Sequence, residues 1–232
     1  MERQIAARLS ATPYVLLLSI PGINVVSASE YAGEMGPISQ YAHSRCITGR
    51  AGLYPSRYQS DKVDRPDGPL VRCGNRRLRY ALLQIAENLM KCNHHFAALA
   101  TLWKQQGRDP RHSHVRVASR FARISFQMVA GRRVFRHPAV VGRHYVLDKL
   151  IRFHLEHQTQ PERMLADLRA AASQLPPGER AAEAAPLAEQ LAEVQAHRRR
   201  GPQPLGQILP LVLAELGLGM VQSAGSGAPG PA

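Results

Sequence analysis

A long helical pattern between Gly74 and Asn93 constrains the fold of this chain more than any other stretch. Four apolar residues recur there at spacings of three and four, namely Leu78, Leu82, Ile85 and Leu89. Such a stripe follows one face of an α-helix, and that face must pack against other elements to leave water. Because Gly74-Asn75 is a capping signal, the pattern predicts a strong amphipathic helix that ends near Asn93.

The first turn of this helix carries unusual positive charge, from Arg76, Arg77 and Arg79. Cations at a helix N-terminus oppose the macrodipole and cost stability unless an anion lies nearby. The preceding loop, residues 52–73, is punctuated by Gly and Pro and carries serine and tyrosine hydroxyls. Hydroxyl nucleophiles and anion-binding side chains are therefore expected to meet here, which suits chemistry on a phosphate backbone.

The rest of the chain is interpreted as helices separated by Gly and Pro. The predicted helices are 2–10, 14–18, 25–35, 39–51, 94–106, 113–129, 162–175 and 185–199. No strand pattern is convincing, so we predict an all-α fold: a compact helical domain that contains a helix-hairpin-helix-like element, with a loosely attached helical C-terminal extension. The predicted segments are a helix remnant (1–11), the main helical domain (12–137), an extension of unknown role (138–221) and a disordered tail (222–232).

The hairpin-like element is centred on Pro21-Gly22. In a helix-hairpin-helix the glycine allows a close turn, and the amides that open the second helix, after Asn24, provide a phosphate site. Ser27 and Ala28 are small where close backbone approach requires it. The alternative is that Pro21-Gly22 forms only a sharp turn between two helices.

Positive charge is concentrated in the first part of the chain. The net charge is +13, and residues 1–150 hold 23 Lys and Arg against 9 Asp and Glu, whereas residues 151–200 hold 7 of each. The predicted helix 113–129 places Arg116, Arg120 and Arg123 away from its apolar face. This distribution favours a polyanion-binding domain, although a high-GC genome that enriches arginine is the alternative cause.

The sequence provides no metal-binding signature. Asp61, Asp64 and Asp67 lie three apart, but in a Pro-containing loop they need not share a face, and solvated turn aspartates are commoner. The histidine pairs His94-His95 and His112/His114 lack a carboxylate or thiolate at ligand spacing. The three cysteines show no CxxC spacing, and no targeting or membrane segment is visible, so we expect a cytoplasmic protein without a bound metal.

Several of these residues resemble one known family. The blocks that carry the resemblance are Ser19–Ile23, Ala51–Ser60, Gly74–Leu82 and Val115–Val129. In this order, over about residues 12–137, they are similar to the C-terminal transposase domain of the bridge-RNA-guided DEDD/serine insertion-sequence transposases. These enzymes are related to Piv-type DNA invertases.

The resemblance implies DNA transposition through a serine nucleophile. Family members combine a RuvC-like nuclease domain, whose four carboxylates hold Mg²⁺, with a helical domain whose serine joins transiently to a DNA 5′ phosphate. Ser60 matches the family serine in its Tyr-x-Ser context, and Arg57 joins the arginines at residues 76, 77 and 79 as a candidate phosphate ligand. DNA, a structured guide RNA and a homo-oligomer are the implied partners.

The sequence departs from the family pattern in two places. Asp61 stands where the family usually has a glycine after the serine, and the matching region begins about eleven residues after Met1. We therefore expect a truncated or decayed transposase fragment that lacks the RuvC-like domain. Such a fragment would not bind Mg²⁺ and would be inactive alone.

Two other functions remain open on the sequence. The first is a non-catalytic nucleic-acid-binding module that uses Pro21, Gly22, Asn24 and the basic helices, including Arg116 and Arg120, for sequence-independent backbone contacts. The second is a helical protein-interaction domain whose charge is incidental. Salt dependence of nucleic-acid affinity separates them, because backbone binding releases counterions and weakens steeply as salt rises.

Overall fold

The helix predicted after Asn75 lies at the centre of the fold. The computed structural model describes residues 1–56, 58–60, 63–65, 68–136 and 146–176. The central helix, α4, runs Arg76–Cys92. All four residues of its predicted apolar stripe are fully buried, which confirms both the helix and the face that it buries.

The described part of the chain is mainly helical, as predicted for an all-α fold. Its other α-helices are α1 (Glu2–Leu9), α2 (Val25–Met35), α3 (Ser44–Ala51), α5 (His94–Gln105), α6 (Pro110–Ala130), α7 (Val146–His157) and α8 (Pro161–Ala172). Two 3₁₀ helices cover Pro13–Ser19 and Ile38–Gln40. The helices α2, α3, α5 and α6 all pack against α4. No helix in these residues is long and apolar enough to cross a membrane.

Side-chain caps fix where several helices begin. Asn24 Oδ1 accepts a hydrogen bond from the Ser27 amide at the start of α2, and Asn75 Oδ1 accepts one from the Leu78 amide at the start of α4. Each cap satisfies an amide that the helix leaves without a partner, a contribution of about 1 kcal/mol. The caps explain why the predicted starts of α2 and α4 agree with the structure.

Asn93 joins α4 to α5. Its side chain is fully buried, its Oδ1 accepts a hydrogen bond from the His95 amide, and its Nδ2 donates to the Pro21 carbonyl at 3.3 Å. The side-chain amide of Asn93 therefore caps the start of α5 and holds the turn before α2.

An aromatic cluster connects the first 3₁₀ helix, α2 and α6. The ring of Tyr31 lies edge-on to those of Tyr14 and Phe121, at centroid distances of 6.1 and 5.3 Å. The Tyr31 hydroxyl lies 2.7 Å from Ser125 Oγ in a fully buried setting. Burial raises the pKa of Tyr31, so its hydroxyl stays protonated and available as a donor.

The 3₁₀ helix Pro13–Ser19 forms a second centre of packing, because α1, α2, α6, α7 and α8 all contact it. The predicted helical turn at 14–18 is thus confirmed. Ser19 Oγ accepts a hydrogen bond from the Phe135 amide at 2.9 Å, which fixes the chain after α6. Residues Met1–Gln174 form one compact unit, and the predicted segment limits at residues 12, 138 and 222 stay predictions.

Several elements differ from the sequence prediction. Helix α3 begins at Ser44 rather than at residue 39, since Tyr41 and His43 have extended backbones. Helix α6 begins at Pro110 rather than Ser113, because Asp109 caps it and Pro110 occupies its first position, where a missing amide costs nothing. Helix α7 was not predicted.

Two short strands occupy the middle of the predicted loop. β1 (Tyr58–Ser60) pairs antiparallel with β2 (Val63–Arg65). No strand pattern in the sequence was convincing, and two strands of three residues leave the predicted all-α fold class unchanged. The predicted helix 185–199 and the tail 222–232 lie outside the described residues.

Candidate nucleic-acid interface

The predicted nucleophile lies at the end of a β-ribbon. In the pairing of β1 with β2, Ser60 is opposite Val63, so it is the last paired residue before the chain reverses. At the base of the ribbon Pro55 pairs with Leu70, and the Ser56 amide donates to the Pro69 carbonyl at 2.8 Å. The structure thus gives the main-chain position of Ser60, and the predicted ligand Arg57 lies outside the described residues.

The other serine of the loop has a structural role. The hydroxyl of Ser56 donates to the Pro69 carbonyl at 2.9 Å, next to the hydrogen bond of its own amide. It helps to close the base of the ribbon. Because Ser56→Ala keeps the hydrogen bond from the main-chain amide to the same carbonyl, this variant is a control for experiments on Ser60.

Arg79 binds both ends of the loop through hydrogen bonds to main-chain carbonyls. Its Nε donates to the Ala51 carbonyl at 2.8 Å, and its Nη2 donates to the carbonyls of Val71 and Cys73 at 2.7 and 3.0 Å. These bonds tie both ends of the loop to the first turn of α4. Arg79 is thus a predicted phosphate ligand whose guanidinium is held by main-chain carbonyls.

A close contact at Gly52 completes this junction. Gly52 has a φ of +65° and ends α3 in the left-handed conformation. A Cβ at this position would overlap Arg79 Nη2 and press against the Cys73 carbonyl. Glycine is thus required both by the backbone conformation and by the approach of the Arg79 guanidinium.

Arg76 and Arg77 are exposed on the first turn of α4. The cap residue Asn75 donates through Nδ2 to the Glu34 carboxylate at 2.8 Å. The chain therefore provides one anion beside the start of α4, and the two exposed guanidinium groups remain candidates for phosphate contacts.

A groove of about 900 Å³ lies between the base of the ribbon and helices α5 and α6. Its basic wall comes from α6 and carries Arg111, His112, Arg116, Arg120 and Arg123. Its apolar lining includes Leu53, Pro55, Pro69 and Leu70 from the loop and Val115 from α6. The groove thus combines strong positive charge with apolar surface.

Trp103 of α5 organises two of these arginines. The guanidinium carbons of Arg116 and Arg120 lie 5.7 and 5.8 Å from the centre of its ring. At these distances the ring quadrupole attracts both cations. The sequence predicted Arg116 and Arg120 as nucleic-acid ligands but did not predict Trp103. The one feature of the sequence that points to this residue is that it is the single tryptophan of the chain.

The Pro21-Gly22 turn packs against α4. Gly22 has a φ of +97°, and a Cβ there would lie 3.1 Å from the Asn88 carbonyl oxygen and 3.3 Å from Cys92 Cβ. The absence of a side chain at Gly22 thus lets this turn lie close to the main chain of α4. At 1.5 Å per residue, Asn88 lies about 18 Å along α4 from Arg76. The predicted hairpin residues Pro21, Gly22 and Asn24 are thus separated from the arginines at the other end of that helix.

The described residues contain no group of three or more His, Cys, Asp or Glu side chains arranged to hold a metal ion. In the ribbon, Asp64 pairs with Gln59 through the main chain. Asp61 and Asp67 lie outside the described residues.

Part of the chain matches a known protein family. Residues 14–101 match the model of the Transposase IS116/IS110/IS902 family. The match begins in the first 3₁₀ helix and ends within α5, so it covers the ribbon, Ser60 and all of α4 but stops before α6. No curated protein matches the chain.

Proposed function

We propose that this protein acts on DNA as a transposase-type recombinase domain in which Ser60 is the nucleophile. The observation that carries the proposal is the match of residues 14–101 to a transposase family. That segment contains Ser60, whose main chain ends β1 opposite Val63. The finer resemblance to the bridge-RNA-guided serine transposases supports the choice of this serine.

The proposed reaction transfers a phosphoryl group between oxygens. Ser60 Oγ loses its proton to a base and attacks phosphorus of a DNA phosphodiester. A bond forms between Oγ and phosphorus, the bond to the deoxyribose 3′ oxygen breaks, and that oxygen takes up a proton. The 5′ phosphate stays on the serine, and a later attack by a 3′ hydroxyl reverses the step and rejoins DNA.

Arg76 and Arg77 are the described residues that we propose to support this chemistry. They are exposed, and they lie on the helix turn that Arg79 ties to the loop carrying Ser60. Guanidinium groups bind phosphate oxygens in a bidentate manner and stabilise the charge that develops during transfer. The Mg²⁺ that the resemblance implies has no fitting cluster among the described residues, so no part of the serine step above is assigned to it.

Detection of a covalent adduct tests the proposal. The purified chain is incubated with Mg²⁺ and fluorescent DNA that spans the ends of the mobile element, with and without a separately purified RuvC-like domain. We expect a denaturation-resistant adduct in the presence of that domain, unchanged for Ser56→Ala and lost for Ser60→Ala. Absence of an adduct in both arms, or its persistence in Ser60→Ala, would contradict the proposal.

A non-catalytic nucleic-acid-binding module is the second candidate. The groove favours it, because the arginines of α6 lie outside the family match and binding there needs no serine. This function predicts that wild type and Ser60→Ala bind DNA equally and that neither forms a covalent product. The guide RNA and the homo-oligomer implied by the resemblance are proposed partners in either case.

A further inference from the structure

We infer that the groove between the ribbon base and α6 binds an unpaired polynucleotide strand, DNA or RNA. The inference deepens the proposed function, on which it rests for the class of ligand. It adds that this surface selects single-stranded over duplex nucleic acid. Three properties of the groove support it: its charge, its apolar lining and its size.

The charge of the groove complements a phosphate backbone. Four arginines of α6 line it at positions 111, 116, 120 and 123, against one carboxylate, Asp109. The Asp109 side chain accepts a hydrogen bond from the Arg111 amide, which caps α6. Trp103 holds Arg116 and Arg120 side by side, so two planar guanidinium groups are oriented before a ligand arrives, which reduces the entropy lost on binding.

The apolar lining distinguishes single strands from duplex. Leu53, Pro55, Pro69 and Leu70 offer the groove no charge and no side-chain hydrogen-bond donor. Duplex DNA presents phosphates and sugars to such a surface, because the faces of its bases are stacked on one another. An unpaired base has an exposed flat face that can cover apolar and guanidinium surface while its phosphates meet the arginines.

The size of the groove agrees with this ligand. Its volume of about 900 Å³ is at the upper end of the range for sites that enclose small molecules, about 300 to 1,000 Å³. It can take a few nucleotides. Pro55 lines the groove and Ser60 follows five residues later, so the serine is at most about 18 Å of extended chain away. A strand held in the groove therefore lies near the proposed nucleophile.

Trp103 provides a direct readout of the groove. It is the only tryptophan of the chain and it lines the groove, so a base bound there changes tryptophan emission. The experiment titrates Ser60→Ala protein with oligothymidylate, oligouridylate and a DNA duplex, each about 12 nucleotides or base pairs long. Emission is recorded at physiological salt, and affinity is measured in parallel by anisotropy of labelled probes.

We expect both single strands to change the emission saturably and the duplex to leave it unchanged. The double variant Arg116→Gln/Arg120→Gln should weaken single-strand binding about ten-fold or more, while duplex affinity falls much less. The control Arg3→Gln/Arg8→Gln removes the same charge from exposed positions of α1, which does not line the groove. It should leave the emission change and the single-strand affinity close to wild type.

Three results would overturn the inference: no emission change with either single strand, an equal change with duplex, or equal loss of single-strand affinity in the groove and control variants. A response to oligothymidylate alone or oligouridylate alone supports the inference and identifies the strand as DNA or RNA. The adduct assay is independent, because a Ser60-dependent adduct without groove binding defeats only this inference. Groove binding without any adduct overturns only the assignment of Ser60 as the nucleophile.

Discussion

Arg79 and Arg77 lie two residues apart at the start of α4 but in different surroundings. Arg79 donates to three main-chain carbonyls, whereas Arg77 is exposed. Arg79→Gln removes charge-assisted hydrogen bonds and leaves carbonyls of the loop without their donor. We expect it to lower the free energy of unfolding by about 2 to 3 kcal/mol, measured by urea denaturation.

Arg77→Gln is the matched control for that measurement. Its effect on the free energy of unfolding should stay within about 0.5 kcal/mol, because the side chain is exposed. Its affinity for duplex DNA should nevertheless fall. If Arg79→Gln were as stable as Arg77→Gln, the structural role assigned to Arg79 would be wrong.

Two glycines at the end of α3 should respond in opposite ways to alanine. Gly52→Ala places a Cβ against Arg79 and forces an L-residue to a φ of +65°, so we expect a loss of about 1 to 3 kcal/mol. Gly49 lies inside α3, and a Cβ there meets nothing within 4 Å. Gly49→Ala should therefore stabilise the protein by up to about 1 kcal/mol. Thermal unfolding tests both expectations: the midpoint temperature should fall for Gly52→Ala and rise for Gly49→Ala.

At the scale of the elements, one buried hydrogen bond, between Tyr31 and Ser125, joins α2 to α6. Removal of its donor and removal of its acceptor should lower the free energy of unfolding by different amounts. Ser125 Oγ donates to the Ala122 carbonyl at 3.1 Å, so the Tyr31 hydroxyl is the donor in the bond between the two side chains. Tyr31→Phe leaves Ser125 with a partner and should cost about 1 kcal/mol. Ser125→Ala leaves a buried hydroxyl on Tyr31 without one and should cost about 2 kcal/mol. Chemical denaturation that ranks the two variants in the reverse order would refute this assignment of donor and acceptor.

Elements with long periodic patterns and cap residues could be predicted from the sequence. The apolar stripe and Asn75 predicted α4, and Asn24 with the following small residues agrees with the start of α2. Helix α7 also has apolar residues at helical spacing, including Leu147, Leu150 and Ile151, all buried. It was missed because no Ser, Thr, Asp or Asn precedes Val146 as a capping signal. The ribbon was missed because its strands have three residues each and no apolar alternation.

The candidate site was only partly predictable, and the reason is the range of the contacts involved. The loop, Ser60 and the arginine-rich turn are neighbours in sequence, so they could be found together. The groove depends on packing of α5 against α6 and on the loop base reaching α6. Trp103, Arg116 and Leu70 meet only after that packing, and no local pattern reports it. The role of Arg79 was likewise invisible, since its partners are main-chain carbonyls.

For the whole molecule, the net charge of +13 predicts salt-dependent binding to duplex DNA. Each phosphate contact releases condensed counterions, so the logarithm of the binding constant falls linearly with the logarithm of salt concentration. Arg76→Gln/Arg77→Gln should reduce the magnitude of that slope by about 2, with weaker binding to every sequence. Anisotropy titrations over a range of salt measure the slope.

The variant Arg3→Gln/Arg8→Gln is the control for this slope as well, since it makes the same change in net charge on α1. Its slope should match that of wild type. An equal reduction in both double variants would show that overall charge, rather than contact by Arg76 and Arg77, governs duplex binding.

Asn93 connects the Pro21-Gly22 turn, which the sequence predicted, with the groove, which it did not predict. Its side-chain amide caps the first turn of α5 and donates a hydrogen bond to the carbonyl of Pro21 before α2. Trp103 lies further along α5. A ligand that shifts α5 must therefore either strain or release the hydrogen bond to Pro21. We expect strand binding in the groove to alter amide hydrogen exchange in the 20–24 segment, and Asn93→Ala, which removes the hydrogen bond to Pro21, to abolish that change.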